Sequence, residues 1–173
     1  MGMTTLVLGG ARSGKSRHAQ ALAEAAGGRL VFVATAQGFD DEMRDRIARH
    51  RADRDARWRT VEAPTDLAAA LRTADAPDTT ILVDCLTLWT SNLLLADADI
   101  PAACDALLAA LAAMRARVLL VANEVGWGIV PDNALARAFR DAAGIVNQRV
   151  AAAATHVHLI VAGLPLVLKE PPR

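Results

Sequence analysis

Short apolar runs alternate with longer stretches of helix-forming residues along the whole chain. Residues 5–8 form an apolar run ending in Gly-Gly and predict a buried strand. Residues 16–26 are alanine-rich and stop at Gly27-Gly28, which predicts a helix with a glycine end. The apolar runs 30–34, 80–84, 118–122 and 157–162 predict four more strands, residues 60–62 a short strand, and residues 167–168 a final edge strand. Helices are predicted at 40–57, from Thr65-Asp66 to 74 with Asp66 as cap, at 86–96, at 101–115 behind Pro101, and at 134–154, where Gly144 marks a candidate bend. Residues 124–133, with two glycines and a proline, read as a loop.

The strands are apolar at successive positions rather than at every second one. That pattern belongs to strands covered on both faces, so the fold class is α/β, a mostly parallel sheet with helices on both faces. No repeat, low-complexity tract or linker interrupts it. Residues 1–173 read as one domain, a length that suits a single core.

Composition narrows the function. The chain is 53 % hydrophobic, with 19 Lys+Arg against 19 Asp+Glu. A zero net charge argues against a nucleic-acid binder and against a polybasic membrane anchor. No apolar run reaches the roughly 18 residues of a membrane span. The N-terminus lacks a secretory pattern, and Cys85 and Cys104 share no pairing or zinc spacing. They read as buried thiols in a reducing, cytoplasmic setting.

One motif carries specific chemistry. Gly9, Gly10, Ala11, Arg12, Ser13, Gly14, Lys15 and Ser16 fit G-x-x-x-x-G-K-[ST], between an apolar strand and an uninterrupted helix. Glycines let backbone N–H groups close on a phosphate, and the helix start adds its positive end. Lys15 is placed to reach the β- and γ-phosphates and the Ser16 hydroxyl to ligate Mg²⁺. The chain therefore reads as a P-loop NTPase fold. Such a site also needs an acid near the metal, and Asp84 ends a neighbouring apolar strand. Asp84 equally suits the cap of the helix that follows, and the P-loop favours the metal role.

Residues 40–59 are dense in both charges, with a thin apolar stripe of Met43 and Ile47. Arg46, His50 and Arg54 recur at four-residue spacing and share a helical face. Two flanking arginines disfavour a protonated imidazole, which suits a nucleophile. A solvated helix laced with ion pairs fits the same residues. His18 reads as exposed on the first helix. His156 and His158 share a strand face, but no third ligand accompanies them, so packing is preferred to metal binding.

Taken in order, these blocks resemble the bifunctional adenosylcobinamide kinase / adenosylcobinamide-phosphate guanylyltransferase family of cobalamin biosynthesis. The P-loop is joined by Ala34-Thr35-Ala36, Asp41-Glu42-Met43, Arg46-Ile47, His50 and Trp58 to Glu62. Asp84 to Trp89, Asn92-Leu93-Leu94, Asn123 to Pro131, Phe139-Arg140-Asp141, Asn147-Gln148 and Gly163 to Lys169 complete the match. The resemblance implies a RecA-like sheet and two reactions. A nucleoside triphosphate, ATP or GTP, phosphorylates the aminopropanol hydroxyl of adenosylcobinamide. GTP then guanylylates a histidine, matched here by His50, and GMP passes to adenosylcobinamide phosphate. It also implies nucleotide contacts at the P-loop with Arg17, at Thr35, Ala36 and Gln37, at Arg51, Ala52, Asp53 and Arg54, and at Glu62 and Asp84. A homotrimer is implied as well, and residues 124–133 are a candidate for cobinamide or subunit contacts. The alternative is a small-molecule kinase with no guanylyl step. A GTP switch is disfavoured by the missing N-K-x-D signature.

Overall fold

Each central strand sends successive side chains into two different apolar clusters. In β1 (Thr4–Gly9) Leu6 joins one cluster and Val7 the other. The same division separates Val31 and Val33 from Leu30 and Phe32 in β2 (Arg29–Ala34), and Ile81 and Val83 from Leu82 in β4 (Thr79–Asp84). In β5 (Arg117–Asn123) it separates Val118 and Leu120 from Leu119 and Val121. Side chains alternate across a strand, so an unbroken apolar run is what a sheet covered on both sides requires.

The computed structural model describes residues 2–37 and 55–171. Besides these strands it contains β3 (Trp58–Glu62), β6 (His156–Val161) and β7 (Leu164–Lys169), with helices α1 (Lys15–Ala26), α2 (Leu67–Ala74), α3 (Leu86–Leu95), α4 (Ile100–Ala113) and α5 (Ala134–Ala153). One sheet has the order β3-β2-β4-β5-β1-β6-β7. All neighbours are parallel except the β6–β7 pair. Helices α2 to α5 supply one cluster through Leu71, Trp89, Leu107 and Val150, and α1 supplies the other through Ala19 and Ala23.

Helix starts follow local chemistry. Asp66 Oδ1 accepts from Ala69 N–H, Asp99 Oδ1 from Ala102 N–H ahead of Pro101, and Asn133 Oδ1 from Ala136 N–H. Each such cap is worth about 1 kcal/mol. Helix α5 runs unbroken through Gly144.

Three expectations shift. The charged helix drawn over 40–57 falls, for residues 40–54, outside the described residues. Residues 55–57 are a turn, in which the Asp55 carboxylate accepts from both the backbone N–H and the guanidinium of Arg57. The strand drawn over 157–162 ends at Val161, because Ala162 and Gly163 both adopt positive φ (51° and 81°). Two such residues make a tight hairpin turn whose twist suits the flanking strands. That turn lengthens the expected edge strand 167–168 into β7, six residues long.

Candidate nucleotide site

Parallel register carries the site residues to one edge and one face. Glu62 lies opposite Ala34, Ala34 opposite Asp84, and Asp84 opposite Val121. Val121 lies opposite Val7, and Val7 opposite His158. Register partners in a parallel sheet point the same way, and Val7 and Val121 belong to the α1 cluster. Glu62, Ala34, Asp84 and His158 therefore all stand on the α1 side. β2, β3 and β4 end in this row, and β1, β5 and β6 run two or three residues past it, so it lies at the C-terminal edge of the sheet, the usual ligand-binding edge of an open α/β sheet.

The P-loop closes over that edge. Lys15 opens α1, and Gly14 before it adopts φ 94°, ψ 5°, a left-handed conformation costly for any residue with a Cβ. No side chain caps this helix start and no acid lies in its first turn. The orphan N–H groups thus face outward with the positive end of the helix dipole, which is how a helix start receives an anion. Lys15 Nζ donates to Gly10 O at 3.1 Å, folding the ammonium back over the loop. Ser13 N–H donates to Gly10 O (3.3 Å), and Ser13 O accepts from Gly163 N–H (2.9 Å), which ties the loop to the β6–β7 turn. A Cβ on Gly9 would meet Ser13 Oγ at 2.4 Å and Ile160 O at 2.9 Å, so only glycine fits. Ser16 is half-buried in the first turn, while Ala11, Arg12 and Arg17 are exposed.

Asp84 ends β4 half-buried, and it is not the cap of α3. That cap is Cys85, whose Sγ accepts from Leu88 N–H at 3.5 Å. The carboxylate is thereby left without a helix-capping role. Asp84 and Ser16 are hard oxygen donors, the kind Mg²⁺ takes alongside phosphate oxygens and water. Among the described residues there is no group of three His, Cys, Asp or Glu that could hold a metal ion.

Thr35 is fully buried, and its hydroxyl is engaged within the fold by both N–H and C=O of Cys85. Asn92 Nδ2 bridges Thr35 O and Pro64 O, so α3 fixes the exits of β2 and β3 together. Ala36 and Gln37 follow half-buried, and Glu62 is exposed at the end of β3. His50, Arg51, Ala52, Asp53 and Arg54 lie outside the described residues. Both thiols are free and buried. Burial, with the Asp84 charge beside it, pushes the Cys85 thiol up to about 11.

Two features escape the sequence. His18 is half-buried rather than exposed, and its Nε2 lies 3.1 Å from His158 Nδ1, within hydrogen-bond distance. Burial lowers the pKa of both imidazoles, and the neighbouring His18 and His156 lower that of His158 further. Asn123 ends β5 opposite Gly9, between the P-loop strand and the Asp84 strand. In the loop beyond it Trp127, Ile129 and Val130 are strongly exposed.

The model of the cobinamide kinase / cobinamide phosphate guanyltransferase family matches residues 5–168. The chain belongs to that family. It is similar to the bifunctional adenosylcobalamin biosynthesis protein CobP of Pseudomonas aeruginosa, with 48 % identity over 98 % of this chain and 99 % of the relative. It is likewise similar to the bifunctional adenosylcobalamin biosynthesis protein CobU of Salmonella typhimurium (46 %) and of Escherichia coli (44 %), each over 96 % of this chain and all of the relative. This family member is thus an enzyme of nucleotide-dependent group transfer, and its α/β sheet is of the P-loop type. Among the described residues, no helix is long and apolar enough to cross a membrane.

Proposed function

We propose that this chain phosphorylates the aminopropanol hydroxyl of adenosylcobinamide and then converts adenosylcobinamide phosphate to adenosylcobinamide-GDP. The observation that carries the reading is an uncapped P-loop helix at the same sheet edge as Asp84, in a chain that matches its family over residues 5–168. ATP or GTP serves the first step and GTP the second.

The loop N–H groups from Gly10 to Ser16 receive the phosphates, and Lys15 swings from Gly10 O to the β- and γ-oxygens. Ser16 and Asp84 would hold Mg²⁺, which supplies positive charge to the β- and γ-oxygens. Ala36, Gln37, Glu62, Arg17 and the segment Arg51 to Arg54 contact the nucleotide, and Thr35 acts through the position it imposes on its neighbours. In the second step His50 attacks the α-phosphorus, the bond to the bridging oxygen breaks, and pyrophosphate leaves. GMP then passes from the imidazole to the phosphate of the corrinoid.

The protein works in the cytoplasm as a homotrimer. The exposed apolar side chains of Leu164, Leu166 and Leu168 on the edge strand, and of Trp127 and Ile129, support subunit or corrinoid contacts. A bare apolar edge is otherwise a hazard that proteins cover.

Incubation with α-labelled GTP tests the reading. A His50-GMP phosphoramidate retains label that acid removes and alkali leaves, because a protonated nitrogen departs readily. His50→Ala should lose the label and the guanylyl transfer and keep kinase activity. A wild-type protein that phosphorylates adenosylcobinamide but never retains label is a kinase without the second step.

A further inference from the structure

A buried oxygen without a donor has lost its water with no replacement, and folded proteins contain few of them. Among the described residues two buried side-chain oxygens lack a partner, Ser13 Oγ and Asn123 Oδ1. Both belong to one spot. Ser13 Oγ sits where a Gly9 side chain would begin. Asn123 is the register partner of Gly9, two residues beyond Val121, so its side chain stands on the α1 side. β5 lies between β1 and β4, which puts Asn123 between the P-loop and Asp84.

The backbone of Asn123 is held rigidly. Its N–H donates to Thr87 Oγ1 at 2.7 Å, and its carbonyl accepts from Asn147 Nδ2 at 3.1 Å. The next N–H, of Glu124, donates to Gly9 O at 3.1 Å. An amide serving the fold would engage its side-chain oxygen too. Here that oxygen can rotate towards the open edge without breaking a hydrogen bond.

We infer that Asn123 orients the alcohol in phosphoryl transfer, its Oδ1 accepting a hydrogen bond from the attacking hydroxyl while Ser13 Oγ–H donates to the transferred phosphoryl group. This rests on the kinase reading above. The chemistry selects the partners. Phosphate oxygens only accept, so they cannot satisfy Oδ1, whereas the alcohol is the reacting group that brings an O–H. A neutral amide also avoids the repulsion that a carboxylate would exert on phosphates. An amide oxygen is too weak a base to keep the proton, so its work is alignment. The alcohol O–P bond forms, and the bond from the γ-phosphorus to the β–γ bridging oxygen breaks. The nucleoside diphosphate leaves with that electron pair, and the hydroxyl proton passes to solvent water. The guanylyl step attacks with an imidazole nitrogen and then a phosphate oxygen, neither of which needs this acceptor.

The test compares wild type, N123A, N123D and N123L for kinase turnover on adenosylcobinamide and for retention of α-labelled GTP. N123A should lower kinase kcat about tenfold or more, leave nucleotide KM within about twofold, and retain label at the wild-type rate. N123D restores an acceptor oxygen but repels the phosphates, so its nucleotide KM should rise while its kcat at saturating nucleotide exceeds that of N123A. N123L fills the volume without an acceptor and gives the same reading should N123A not fold. An N123A or N123L protein with wild-type kcat, a parallel loss of labelling, or an N123D no better than N123A overturns the inference alone. A wild-type protein that transfers no phosphate to adenosylcobinamide overturns the functional reading, and the inference with it.

Discussion

Thr35 and Cys85 hold each other through one hydroxyl. Thr35 Oγ1 donates to Cys85 O at 2.7 Å and accepts from Cys85 N–H at 2.8 Å, while Thr35 N–H reaches Asp84 O at 3.4 Å. The end of β2 is thereby strapped to Asp84, the residue proposed to face the metal, and to the cap of α3. A predicted nucleotide contact is thus, in its side chain, a clamp inside the sheet edge.

Thr35→Val keeps the shape of the side chain and removes both hydrogen bonds, leaving the buried Cys85 N–H without an acceptor. The expected loss is about 2–3 kcal/mol in urea unfolding. Thr35→Ser should recover most of it. A Val variant as stable as wild type would mean that the Cys85 N–H finds another acceptor.

Asp84→Asn separates metal binding from folding. Since Cys85 caps α3, stability should change by no more than about 0.5 kcal/mol. Half-saturation of turnover by Mg²⁺ should rise about tenfold, a loss of about 1.4 kcal/mol in apparent affinity. A melting temperature that collapses while turnover per folded molecule stays normal would assign Asp84 to the fold.

Gly9→Ala places a methyl group 2.4 Å from Ser13 Oγ and 2.9 Å from the backbone oxygen of Ile160. The carbonyl belongs to a paired strand, so the loop must yield. Overpacking of this kind costs about 1–3 kcal/mol. Calorimetric titration should show weakened nucleotide binding, and unchanged affinity would place the phosphates away from this end of the loop.

The His18–His158 pair predicts a specific acid sensitivity. Both imidazoles have a folded pKa below the ordinary 6.5, chiefly through burial; His156 adds to the lowering at His158 and Glu170 opposes it. A lowered histidine pKa means that the unfolded chain binds more protons. Stability is therefore full above pH 6.5 and declines as pH falls from there through the folded values. Urea midpoints measured between pH 7.5 and 5 should drop on the acid side, and His158→Leu should flatten that drop. The same slope in the variant would assign it to other groups.

What the sequence reveals is what local or repeating physics dictates. β1, β2, β4 and β5 are legible because two covered faces demand apolar residues at every position. The P-loop is legible because phosphate chemistry fixes residue types at adjacent positions. Cys85 as a cap is not, since sulfur is a weak acceptor and Asp84 stands beside it as the better candidate. His18 and His158 are 140 residues apart, and nothing near either one announces the other. The hairpin turn hides because Ala162 occupies a position that asparagine or glycine usually marks. Asn123 is a single amide whose meaning comes only from the register that sets it opposite Gly9. Asp55 and Arg57 prolong a helical charge pattern, yet they turn the chain into β3.

The sheet order has a consequence for biosynthesis. β1 leaves the ribosome first, but both of its neighbours, β5 and β6, are made late, and Thr4 waits for Thr155 across 151 residues. A nascent chain can pair β2, β3 and β4 while β1 still has neither flank. Contacts so distant are slow to close. The loop proposed to grip phosphate follows β1, so the strand that carries it gains both neighbours only when translation has passed β6.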